Sequence, residues 1–145
     1  MVKHTNGVEL TMAQNVLFIC SDQHQRDITG CYGDPLVKTP NLDRLAKEGV
    51  RFTHAYAAAP VCSPYRAALL TGQHPARVGI IDYLRPNSSN ALPVSQVTLP
   101  EILSKHEYAT GMVGKWHLTG YKHHGAEFEV RPTDHGFGWN TGSEV

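Results

Sequence analysis

Apolar residues recur along the chain in short runs broken by polar and turn-forming positions, and each run predicts an element. NVLFIC, followed by the polar SDQH, has the pattern of a buried parallel strand whose carboxyl end opens into a site. In TPNLDRLAKEG, Leu42, Leu45 and Ala46 form an apolar stripe at helical spacing. Thr39 stands at the cap, Pro40 at the first helical position and Gly49 at the end. RFTHAYAAA reads as a second strand leading to Cys62, after which Ser63 is the expected N-cap and Pro64 the first helical residue. Residues 73–97 hold Pro75, Gly79, Pro86 and Pro93 among Ser and Asn, which predicts a long irregular excursion over the site. Thr98 caps a third helix with Pro100 in its first turn and Leu99, Ile102 and Leu103 facing inward, and a strand follows over residues 108–113. The remaining stretch, from Tyr121, has no sustained period and reads as a solvated loop. Strands alternating with helices predict an α/β fold with a parallel sheet flanked by helices.

Three places on this frame carry candidate chemistry. At the end of the first predicted strand, Asp22 and Gln23 set a carboxylate beside an amide oxygen, and open α/β sheets place ligands at such ends. Oxygen donors suit a hard divalent cation; a polar strand end with no ligand is the plainer alternative. At the second place, CSPYR puts a cysteine beside a helix start and an arginine one turn in. The unpaired N–H groups and dipole of that terminus attract anions, and the guanidinium fork of Arg66 suits the oxygens of a sulfate or phosphate ester. A thiolate phosphatase loop would need its arginine at position 68, which is Ala68. At the third place, GKWH follows the last predicted strand. Alternation along an extended segment would turn Lys115 and His117 to one side and Trp116 to the other.

Taken together, the strand-end Asp22–Gln23 pair, C-x-P-x-R followed by AALLTG, and GKWH, in that order along the chain, resemble the type I sulfatases of the alkaline-phosphatase-like superfamily. The resemblance runs from about Asn15 to Trp139 and implies an alkaline-phosphatase-like α/β fold, of which residues 15–145 are the amino-terminal part. It also implies hydrolysis of a small-molecule sulfate ester by the full-length parent. Cys62 would be oxidised by a separate formylglycine-generating enzyme to the nucleophile. Arg66, Lys115 and His117 would complete the catalytic set. Asp22, Gln23 and the modified Cys62 would hold a divalent cation, calcium first, with magnesium or manganese as alternatives. Many sulfatases carry two adjacent aspartates where this chain has Asp22–Gln23. Such pairs resemble those of choline-sulfatase and phosphonate-monoester-hydrolase branches, so a phosphonate monoester or phosphodiester hydrolase is the alternative. A non-catalytic product that binds an anion or a partner is a second alternative. The resemblance places further ligands beyond Val145, so residues 15–145 alone are expected to turn over no sulfate ester.

Composition narrows the setting. With 13 basic and 13 acidic residues the formal charge is zero, which leaves no electrostatic basis for binding nucleic acid or an anionic membrane surface. Apolar runs are short for a bilayer, and residues 1–14 lack the apolar core of a signal peptide. They are expected to be a flexible leader on a cytoplasmic protein. The cysteines, Cys20, Cys31 and Cys62, have no metal-finger spacing, and Cys20 is expected to pack inside the first strand. His117, His123, His124 and His135 are irregularly spaced and predict no zinc cluster.

Overall fold

The computed structural model describes residues 4–5, 8–9, 14–85, 88–120 and 130–142, and the chain divides into a first unit, Met1–Arg51, and a second, Phe52–Val145.

In the first unit, β1 (His4–Thr5) pairs antiparallel with β2 (Val8–Glu9), within the segment read as a leader. The run NVLFIC joins no ladder among the described residues, and Val16, Leu17, Phe18 and Ile19 are exposed, Leu17 to 84%. An apolar pattern records which side chains gain from burial, but a strand exists only when neighbours take up its N–H and C=O groups. Cys20 is likewise exposed, so its expected packing inside a strand is not found. Helix α1 (Pro40–Glu48) starts and stops where its local signals place it, with Thr39 at the N-cap and Gly49 at the C-cap. Thr39 does not cap with its side chain. Its Oγ1 accepts from the Gly30 N–H at 2.9 Å and donates to Asp43 Oδ1 at 2.9 Å, tying α1 to the short 3-10 helix Gly30–Tyr32. Asp34 Oδ1 accepts from the backbone N–H groups of Leu36 and Val37, and the bond from Val37, then that from Leu36, holds its carboxyl below the usual range.

The second unit holds the core. Helix α2 (Cys62–Thr71) is followed by the irregular segment that supplies Val78, Ile80, Leu84 and Leu92, then by α3 (Leu99–Lys105) and β3 (Gly111–Val113). These residues pack with Ala67, Trp116 and Leu118, and Leu70, Met112 and Phe137 lie against them. The excursion is therefore irregular as predicted, and it also carries much of the core. RFTHAYAAA forms no strand. Thr98 and Glu101 form a capping box at α3, and among the three residues expected to face inward Leu103 is half-buried while Leu99 and Ile102 are exposed.

The carboxyl-terminal stretch corrects the expectation of a solvated loop. The 3-10 helix Pro132–His135 buries His135 completely, and β4 (Trp139–Thr141) pairs in parallel with β3 in the register Gly111↔Trp139, Met112↔Asn140, Val113↔Thr141. Gly136, at φ 84°, turns the chain between them so close to Glu101 that a Cβ would collide with its backbone nitrogen. His123 and His124 lie outside the described residues.

Candidate active site

Helix α2 begins two residues earlier than expected. Val61 is the N-cap, and the Tyr65 N–H closes the first turn on its carbonyl at 3.0 Å, so Cys62 is the first helical residue and Pro64 the third. Proline is still tolerated there, because none of the first N–H groups has an intrahelical partner. Ser63 is released from capping and does something else: its buried Oγ accepts from the Leu84 N–H at 3.0 Å. The helix stops at Gly72, at φ 65°, whose N–H reaches the Ala68 carbonyl at 2.8 Å.

The same Leu84 peptide is held from its other side. Its carbonyl accepts from His117 Nε2 at 2.9 Å, so one backbone unit of the irregular segment links the start of α2 to the GKWH segment. A neutral His117 is thereby fixed with its proton on Nε2 and its basic nitrogen at Nδ1. A second link runs from Arg66, whose Nη1 donates to the Lys115 carbonyl at 2.7 Å. Arg66 Nε is buried with no hydrogen-bond partner among the described residues. The irregular segment is pinned to the strand end once more by the Leu92 N–H on the Leu118 carbonyl at 2.8 Å and the Gly120 N–H on the Asn90 carbonyl at 3.1 Å.

The expected alternation of Lys115, Trp116 and His117 fails at His117, which has φ 53°. That left-handed residue breaks the extended geometry on which alternation depends. Trp116 packs into the core against His135 and Phe137, Lys115 is half-buried, and His117 is 5% exposed. Among the described residues the non-glycine positions with positive φ are Gln23, Glu107 and His117, two of them candidate site residues. Such backbone is retained where surrounding structure over-determines it, often at functional sites.

Asp22 and Gln23 belong to the first unit, exposed on a turn after the apolar run, while Cys62, Arg66, Lys115 and His117 belong to the second. The structure brings Arg66 to Lys115 and, through Leu84, the Cys62 turn to His117. The first pair offers oxygen donors only, the type a hard cation takes. No group of three or more potential His, Cys, Asp or Glu ligands clusters among the described residues. No helix among them is long and apolar enough to cross a membrane. Sequence reasoning missed Ser63 as an anchor and Leu84 altogether; a backbone group used from both sides leaves no sequence signal.

The chain is similar to known sulfatases. The chain is 46% identical to mouse steryl-sulfatase over 130 residues, covering 85% of this chain and 21% of that protein. It is 45% identical to human arylsulfatase A over 113 residues, covering 77% of this chain and 22% of the relative. The chain thus spans about a fifth of these relatives' length. Among solved structures, Ps i-CgsB superposes with a TM-score of 0.70 at 35% identity, over 79% of this chain and 24% of that one. BT4656, solved in complex with its substrate D-glucosamine-2-N,6-O-disulfate, superposes at 0.63 with 34% identity, over 81% and 21%. The alkaline-phosphatase-like α/β fold of these neighbours is the fold of this chain. The Sulfatase family profile covers residues 14–145, the same span that holds both linked motifs, and the chain belongs to the sulfatase family.

Proposed function

We propose that this chain carries the nucleophile-bearing, sulfate-binding part of a sulfuric ester hydrolase. The hydrogen bond from Arg66 to Lys115 carries the reading, because it makes one cluster of C-x-P-x-R and GKWH. Relatives named steryl-sulfatase and arylsulfatase A support sulfate over phosphonate or phosphate esters.

Formylglycine made from Cys62 by a separate enzyme would supply, when hydrated, a nucleophilic oxygen and a second hydroxyl. A divalent cation, calcium first and magnesium or manganese next, would take Asp22 and Gln23 as oxygen ligands and would polarise bound oxygens. The chain's own groups do the rest. Cys62 stands in the first turn of α2, where free N–H groups and the helix dipole favour an anion. Arg66 spends one donor on Lys115 and keeps Nε, a buried donor that an ester oxygen would satisfy. Lys115 adds a mobile positive charge for the sulfate oxygens. His117, held by Leu84 through Nε2, moves the proton at Nδ1.

A tryptic map tests this. Protein made in a host with the formylglycine-generating enzyme should show sulfur lost and oxygen gained at Cys62, with Cys20 and Cys31 unchanged. A thiol at Cys62 throughout overturns the reading. In the full-length parent made in the same host, phenyl sulfate should be cleaved in preference to a phenylphosphonate monoester and a phosphate diester.

A further inference from the structure

Beside His117, the segment after Ile80 forms an open cleft of about 410 Å³ lined by Ile81, Asp82, Tyr83, Leu84, Arg85, Ser88 and Asn90. None of these residues has a role in the proposed chemistry except Leu84, whose carbonyl holds His117. Leu84 thus links the cleft wall to the proton-moving residue. The Tyr83 ring lies 6.5 Å from the His117 ring, centroid to centroid. A volume of this order takes a ring-sized alcohol.

The walls have a definite chemistry. The Arg85 guanidinium sits over the Tyr83 ring, 5.3 Å from its centroid, a cation–π contact that holds an exposed cation in place. Asp82 is the one carboxylate in the wall, and its Oδ1 is engaged by the Tyr83 N–H at 2.8 Å. Among the described residues Arg85 makes no ion pair, so its fork of donors is uncommitted. Exposed Ile81 adds an apolar wall. A stacked guanidinium favours a planar oxyanion that it can grip through two parallel bonds.

We infer that this cleft takes the alcohol part of the substrate, and that Arg85 selects alcohols bearing a second anionic group, a carboxylate or another sulfate. The inference rests on the sulfate-ester reading above and adds a substrate class to it. Arg85 is a specificity residue; it does not touch the reacting sulfur.

The test has a binding arm and a turnover arm. Amide shifts of Leu84, Ser88 and Asn90 are followed by NMR as hydroxybenzoate, phenol disulfonate or plain phenol is added. Both anions should bind and phenol should not, and Arg85→Gln should weaken the anions about tenfold or more, with Arg85→Lys intermediate. Far-UV circular dichroism checks that both variants keep the wild-type fold. For turnover, measured in the full-length parent, the kcat/KM ratios of carboxyphenyl sulfate and of phenylene disulfate to phenyl sulfate should exceed one and fall about tenfold in Arg85→Gln, mainly through KM. A preference for only one anion identifies the carboxylate or the second sulfate as the natural group. If phenyl sulfate is cleaved with no preference for either anionic ester, and no anion binds, the cleft assignment is wrong and the sulfatase reading stands. If the anions bind through Arg85 but no sulfate ester is cleaved, the cleft stands and the sulfatase reading falls.

Discussion

Arg66 Nη1 donates to the carbonyl of Lys115 at 2.7 Å, across 49 positions of chain, so the arginine of one motif is fastened to the backbone of the other. Replacing Arg66 by lysine keeps the charge and removes the fork. In the full-length parent, Arg66→Lys should lose about 1–2 kcal/mol of stability, read from the urea midpoint, and kcat/KM for phenyl sulfate should fall at least about tenfold. Unchanged stability would mean that this bond does not hold the segments together.

Ser63→Ala tests the other fastening. The Leu84 N–H would be left buried without its acceptor, at about 1–3 kcal/mol. Because the Leu84 carbonyl positions His117, turnover should fall more than stability explains. Ser63→Thr, which keeps an acceptor oxygen, should recover part of both.

At the nucleophile, Cys62→Ser keeps one hydroxyl in the first turn of α2 but lacks the second that a hydrated aldehyde carries. In the full-length parent, a single round of attack should leave a sulfated serine, visible by mass spectrometry, with steady hydrolysis lost; Cys62→Ala should give no adduct. Near-normal steady turnover by the serine variant would make water the nucleophile.

Thr98 joins the α3 cap to the carboxyl-terminal stretch, since its buried Oγ1 donates to the His135 carbonyl at 2.7 Å. Thr98→Ala removes that donor and half of the capping box, and should cost about 1–3 kcal/mol by denaturant unfolding. Thr98→Ser should cost clearly less.

His135 is buried, and loss of hydration is the main cause that pushes its pKa below the ordinary 6.5, against the raising effects of its bond to the Leu92 carbonyl and the charges of Glu101 and Asp134. The unfolded chain therefore binds a proton at a pH where the folded chain does not. Stability from this group should be complete above about pH 6.5 and should decline as the pH falls from there toward the lowered folded value. Unfolding free energies across about pH 5–8 should show this slope, and His135→Gln should flatten it.

What could be read from the chain alone was what local chemistry dictates. Helices α1 and α3 begin at Thr39 and Thr98 because cap, proline and apolar spacing act within a few residues of one another. The C-x-P-x-R and GKWH segments were legible for the same reason, each being contiguous. Tertiary structure decided whatever depended on a partner far along the sequence. Ser63 left its expected capping role because Leu84 arrives as a buried donor, and His117 abandoned extended geometry where the chain bends to meet the same peptide. His135 and residues 139–141 looked like solvent loop because their burial and pairing come from Trp116, Thr98 and β3, which no local pattern announces. The apolar run 16–19 shows the converse: its sequence favours a strand, but a strand is a property of a ladder, and propensity alone supplies no neighbour.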